Sequence, residues 1–183
     1  MLTPQEYLGI EREAEWRNEY LDGEMVERER PSLRHSLIVT NLMVEIGNRL
    51  LETPFIVHCA GLRVTTDPLR HYAYPDVVVA LAPEFLETDT LTNPSFLAEV
   101  LSETTEKYDR GAKFERYRGV PSLAEYLLVA QDRVHVELYT RQPDGAWILH
   151  EWNDPAEEIE LASVRCRVSI AGIYAKVDFA APG

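Results

Sequence analysis

One stretch constrains this chain more than any other: residues 96–126, FLAEVLSETTEKYDRGAKFERYRGVPSLAEY. It opens as a strand in which a single carboxylate, Glu99, interrupts an apolar run of Phe96, Leu97, Ala98, Val100 and Leu101. The period then changes, and the chain continues as a polar helix with Asp109, Lys113 and Tyr117 at four-residue spacing. An ionised carboxylate inside a buried strand is expensive unless it is paired or binds a metal. Structural acids more often sit at strand ends or on solvated faces. If the chain carries chemistry, this stretch is where it is expected.

A second strand supports that expectation. Pro75-Asp76-Val77-Val78-Val79-Ala80-Leu81 is fronted by proline and has a continuous apolar body, as a strand inside a sheet does. Asp76 stands at its mouth. The two strands are joined by one acidic loop, residues 82–94, so Asp76 and Glu99 can be neighbours across a sheet. Two carboxylates that close repel each other and raise one pKa unless a cation is present. Hard divalent ions such as Mg²⁺ take that kind of oxygen pair. From Glu99 to the strand end near Ser102 is roughly 10 Å at strand rise. From Thr105 to Lys113 is roughly 11 Å at helical rise, so a helix folded back on the strand brings Lys113 level with Glu99. A plainer reading competes: Asp109–Lys113 and Glu106–Arg110 are acid-first i,i+4 pairs, worth about 0.2–0.5 kcal/mol each on a solvated helix.

The rest of the chain supplies the frame. Thr3-Pro4-Gln5-Glu6 is a capping box with proline at the first helical position. Residues 18–29 read as a hairpin about Asp22-Gly23, with Glu24 as a solvated acid just after the turn. Residues 32–52 form the longest helix, with an Ile38, Leu42, Ile46, Leu50 ridge and Pro54 beyond its end. His35 lies near the start of that ridge, where a hydrogen-bonded residue at the core edge is the ordinary reading. Strands follow at 55–59 and 62–66 around Ala60-Gly61, then a loop with Asp67, Pro68 and His71. Another strand covers 125–130. Residues 133–141 and 146–152, joined at Pro143-Asp144-Gly145, make a half-exposed antiparallel meander. One or two short strands in 157–170 and a short helix within 169–177 complete the pattern. The order predicts one domain of α/β (α+β) class over residues 1–183.

The net charge of −13 argues against a protein that coats nucleic acid, because phosphates are repelled at long range. A site that meets nucleic acid locally through a bound cation is still open. Cys59 and Cys166 read as reduced core residues rather than a disulfide framework. With no signal-like N-terminus and no long apolar run, the expected location is cytoplasmic.

Pro75-Asp76, then Glu99-Val100-Leu101-Ser102 with Thr105, Asp109, Lys113, Tyr117, Gly119-Val120 and Glu125-Tyr126, resembles the Uma2 (DUF820) family. So does Tyr20-Leu21-Asp22-Gly23-Glu24 followed by His35. That family is placed in the PD-(D/E)xK restriction-endonuclease-like superfamily. The resemblance therefore implies a central mixed β-sheet flanked by helices and Mg²⁺-dependent (or Mn²⁺-dependent) cleavage of DNA phosphodiester bonds. It implies Asp76 and Glu99 as metal ligands and Lys113 as the third catalytic residue, with Glu24, His35, Asp109 and Tyr117 as accessory positions. The sequence departs from the literal superfamily motif, since Leu101 occupies the place two after Glu99 where the lysine normally stands. The resemblance carries that lysine to the following helix. Nucleases of this fold often act as dimers, and the 133–152 hairpin offers an edge for pairing. Two other readings stand beside the endonuclease: a non-catalytic interaction module on the same fold, and a metal-dependent hydrolase of a small phosphoester.

Overall fold

The computed structural model describes residues 1–28, 30–59 and 61–180; Glu29 at the end of the expected hairpin and Ala60 in the expected turn lie outside them. Helix α1 (Pro4–Glu13) is fixed by the capping box, in which the Thr3 hydroxyl accepts the Glu6 N–H and Glu6 accepts the Thr3 N–H at 2.7 Å. Strands β1 (Asn18–Leu21) and β2 (Glu24–Glu27) form a hairpin whose turn needs positive φ twice. Asp22 (φ 48°) and Gly23 (φ 95°) supply it. Helix α2 (Leu33–Leu50) starts at Ser32, whose hydroxyl accepts the His35 N–H at 3.0 Å, and buries the Ile38, Leu42, Ile46, Leu50 ridge.

Strands β3 (Phe55–Cys59), β4 (Arg63–Asp67), β5 (His71–Ala73) and β6 (Val77–Leu81) follow. After the short β7 (Phe85–Leu86) and β8 (Thr90–Leu91) comes β9 (Phe96–Leu101). A helical stretch then runs as α3 (Glu106–Tyr108), a π-helical turn (Asp109–Lys113) and α4 (Phe114–Tyr117). Strands β10 (Glu125–Ala130), β11 (Val136–Arg141), β12 (Trp147–Trp152), β13 (Glu158–Leu161) and β14 (Cys166–Ser169) lead to α5 (Ile170–Ile173).

The fold is mixed α/β, as expected. The central sheet has the order β12-β11-β10-β9-β6-β3. Only β9 and β10 are parallel, joined by the helical stretch as a βαβ unit; the other pairs are antiparallel. The expected meander β10-β11-β12 is therefore one wing of this sheet. A second sheet runs β2-β1-β5-β4-β8-β7, and β13-β14 form a separate ribbon. One face of the central sheet, with Val77, Val79, Phe96, Ala98, Val100, Leu127 and Val129, packs on α2, β14 and α5. The other face, with Val78, Ala80, Leu97, Leu101 and Leu128, packs on Phe114 and Tyr117 and on Val64, Ala73 and Leu91 of the second sheet.

The strands expected at 55–59 and 62–66 are both present, as β3 and β4, but they do not pair; the chain leaves β3 at the edge of the central sheet and enters the second one. Two expectations are corrected. The loop after Asp67 contains β5, and the acidic loop contains β7 and β8, all too short to leave a periodic signal. The cysteines are free but do not lie in the core: Cys59 ends an edge strand and is exposed, and Cys166 is half-buried. Among the described residues no helix is long and apolar enough to cross a membrane.

Candidate active site

Alternation along the strands puts the acids where the sequence did not say. Leu97 and Leu101 face the helical stretch and the second sheet, so Glu99 faces that way too. On β6 the same face holds Val78 and Ala80, and one step back along that parity is Asp76. The antiparallel register Val77↔Ala98, continued by one pair, sets Asp76 opposite Glu99. Both side chains are buried, and the Asp76 Oδ2 accepts the Val100 N–H at 2.8 Å.

The helical stretch lies against this face. Four-residue steps on an α-helix drift by about 40° each. The wider π turn takes back part of that drift, and Asp109, Lys113 and Tyr117 are all buried on the sheet side. Such turns recur at functional sites. The Lys113 Nζ reaches Glu99 Oε1 at 2.8 Å, Glu19 Oε1 at 3.0 Å and Asp109 Oδ1 at 3.4 Å. The Tyr117 hydroxyl donates to Glu99 Oε1 at 3.1 Å. The Asp109–Lys113 pair predicted for a solvated helix is thus inside the protein.

Asp76 has its own donors. Its Oδ1 takes Arg28 Nη2 at 2.9 Å and His35 Nε2 at 3.3 Å. His35 lies on the first turn of α2, at the end of the helix pointing at the carboxylate. Of the expected accessory residues, His35, Asp109 and Tyr117 join the cluster. Glu24 does not: it is exposed beside the hairpin turn, and no ion pair or hydrogen bond among the described residues ties it to the others. The residues missed are Glu19 and Arg28. Glu19 is the inward-facing neighbour of Tyr20 on β1, accepts the Tyr74 N–H at 3.2 Å and is nearly fully buried. The one available signal was an acid next to Tyr20, at the opposite parity, in a hairpin that carries several.

The electrostatics follow from four buried carboxylates facing two permanent cations. Burial, opposed by Lys113 and reinforced by Asp109 and Asp76, pushes Glu99 up to about 8. Burial works the same way on Asp76, but His35, Arg28 and the Val100 N–H outweigh it and hold that carboxyl down at about 2. Burial also raises Asp109, against the pull of Lys113. For Glu19, Lys113 and Arg28 overcome burial and lower its pKa. Burial would lower Lys113, yet Glu19, Glu99 and Asp109 keep it well above the usual ammonium range.

The donor set is all carboxylate oxygen at the point where strands β6 and β9 meet, which suits a hard divalent ion. A second convergence of ligand types lies elsewhere, in His135, Glu137 and Glu151. There His135 Nε2 sits 2.7 Å from Glu137 Oε1, and Arg110 pairs with the other Glu137 oxygen.

The Uma2 family, described as "Putative restriction endonuclease", matches residues 4–171. Two proteins of Synechocystis sp. are similar over nearly their whole lengths. The uncharacterized protein slr1290 is 32% identical over 97% of this chain and 94% of its own. The uncharacterized protein sll1609 is 35% identical over 90% and 95%. A crystal structure from Anabaena variabilis, described as "a putative nuclease belonging to DUF820", superposes with a TM-score of 0.78. It is 18% identical and covers 96% of this chain and 98% of its own, a likeness of fold.

Proposed function

This chain belongs to the Uma2 family, and on that premise we propose that it is a Mg²⁺-dependent endonuclease hydrolysing DNA phosphodiester bonds. The observation that carries the reading is the burial of Asp76 opposite Glu99, with the Lys113 ammonium 2.8 Å from Glu99 Oε1. Asp76 and Glu99 would hold the ion. Bound there, it supplies a Lewis acid for a phosphoryl oxygen and lowers the pKa of a water. Lys113 stays protonated between its carboxylates and would set its positive charge against the charge that develops on the phosphate. Tyr117 fixes Glu99, and the Val100 N–H and His35 fix Asp76, so both carboxylates keep one orientation. The reading includes a cytoplasmic protein that meets DNA locally and pairs as a dimer through the exposed edge strand β12.

Asp76→Ala and Glu99→Ala should each abolish Mg²⁺- or Mn²⁺-dependent nicking of plasmid DNA while circular dichroism stays native. Cleavage persisting in both variants overturns the reading. The net charge of −13 favours a second one, a non-catalytic module on the same fold. It predicts no Mn²⁺ heat in calorimetry that depends on Asp76 and Glu99. The same charge suits a third reading, a hydrolase of small phosphoesters, which a screen of aryl phosphodiesters against DNA separates from the first.

A further inference from the structure

Arg28 follows the last residue of β2, where its backbone N–H is held by the Arg17 carbonyl at 3.0 Å. Among the described residues its guanidinium makes a single hydrogen bond, Nη2 to Asp76 Oδ1 at 2.9 Å. Arginines built into this fold are used differently. Arg141 donates to the carbonyls of Leu123, Arg118 and Val120, and Arg63 engages Thr90, Tyr74 and Asp89. An arginine has five N–H donors in a planar fork matched to phosphate oxygens. Four of those on Arg28 remain uncommitted, and its side chain is 25% exposed while the carboxylate it holds is 2% exposed. The site therefore has one cation with a route to solvent.

The carboxylate geometry sets what happens when a divalent ion arrives. Asp76 Oδ2 is tied to the Val100 N–H, so the ion must compete for Oδ1, the oxygen that Arg28 and His35 now occupy. An ion there repels a guanidinium at hydrogen-bonding distance. Elsewhere several basic side chains are matched to acids: Arg12 to Asp89, Arg49 to Glu45, Arg70 to Asp22, Arg167 to Glu160.

We propose that Arg28 is an exchangeable counter-ion: it neutralises Asp76 while no divalent cation is bound, and turns to a phosphate oxygen of the substrate when a cation takes that carboxylate. The inference rests on the nuclease reading and adds a substrate-binding residue to it. It makes metal binding and substrate binding respond oppositely to the same substitution. Arg28→Gln keeps an N–H donor for Asp76 but removes the charge, which protects the fold. Calorimetry should show Mn²⁺ binding about tenfold tighter in Arg28→Gln than in the wild type. Anisotropy of a labelled DNA duplex, with Ca²⁺ replacing Mg²⁺ to prevent cleavage, should show severalfold weaker binding. Arg28→Lys, which keeps the charge, should bind Mn²⁺ as the wild type does. Unchanged or weaker Mn²⁺ binding in Arg28→Gln overturns the exchange, and so does unchanged DNA affinity. The same titration on Asp76→Ala separates the two levels. If wild-type Mn²⁺ binding does not depend on Asp76, the nuclease reading falls and the exchange with it. If it does depend on Asp76 but Arg28→Gln binds no tighter, only the role of Arg28 falls.

Discussion

Glu99 and Glu125 show why an acid in an apolar strand is an incomplete signal. Both lie in strands buried along their whole length, Glu99 within β9 and Glu125 at the start of β10. Glu125 accepts the Ala162 and Ser163 N–H groups and the Ser163 hydroxyl, so it closes a short helical turn with neutral donors. Glu99 meets the Lys113 ammonium and the Tyr117 hydroxyl instead. Buried titratable groups leave their mark on stability as well. His71 is fully buried, bonded through Nδ1 to Thr66 at 2.9 Å and set edge-on to the Tyr117 ring. Burial lowers its pKa from 6.5 to about 4, with Glu19 opposing and Lys113 adding to the effect. Because the folded pKa is the lower one, the unfolded chain takes the proton first. The contribution is complete above pH 6.5 and is lost as pH falls through about 4, at most about 3 kcal/mol. Urea unfolding across that window should show a steeper loss in the wild type than in His71→Asn. Asp76, Glu99 and Lys113 were legible because residue type, spacing and rise suffice to bring them level. Glu19 and Arg28 were not, since which side of a four-residue strand meets the cluster depends on what the hairpin packs against.

At the scale of elements, the π turn does the positioning. Gly111 lies within it, where each residue turns the chain by less than the roughly 100° of an α-helix. Without the Lys113 ammonium the buried acids would lose their nearest cation. Lys113→Ala should therefore lower the unfolding free energy in urea by about 3–5 kcal/mol, the cost of leaving buried charge uncompensated. Gly111→Ala, whose added Cβ meets nothing within 4 Å, should stay close to the wild type. Sequence reading found the helix but not this turn, because a four-residue spacing fits both geometries. It found α2, β6, β9 and β10 because their apolar runs are long and one-sided or continuous. It missed β5, β7 and β8, which are two or three residues long and stabilised by pairing rather than by their own pattern. The exposure of Cys59 was hidden for a related reason, since nothing in FIVHC tells an edge strand from an inner one.

The whole molecule carries a charge of −13 while its candidate site gathers cations inward. Counter-ion release scales with the number of phosphates neutralised, at a slope of about −0.9 for each in log affinity against log salt. Duplex binding should accordingly be weak without a divalent ion, strengthen when Ca²⁺ is added, and show a slope corresponding to about one or two phosphates. Anisotropy titrations over a range of NaCl check this, and a steep slope would instead indicate an extended basic surface. The cluster also spans the chain: Glu19 and Lys113 are separated by nearly a hundred residues and come from the second sheet and the helical stretch. Loop closure over that length must come first, and charges attract strongly only once water has left. Ion pairs that form late should be absent from the transition state, so Lys113→Ala is expected to speed unfolding while leaving the folding rate unchanged, which stopped-flow measurements check.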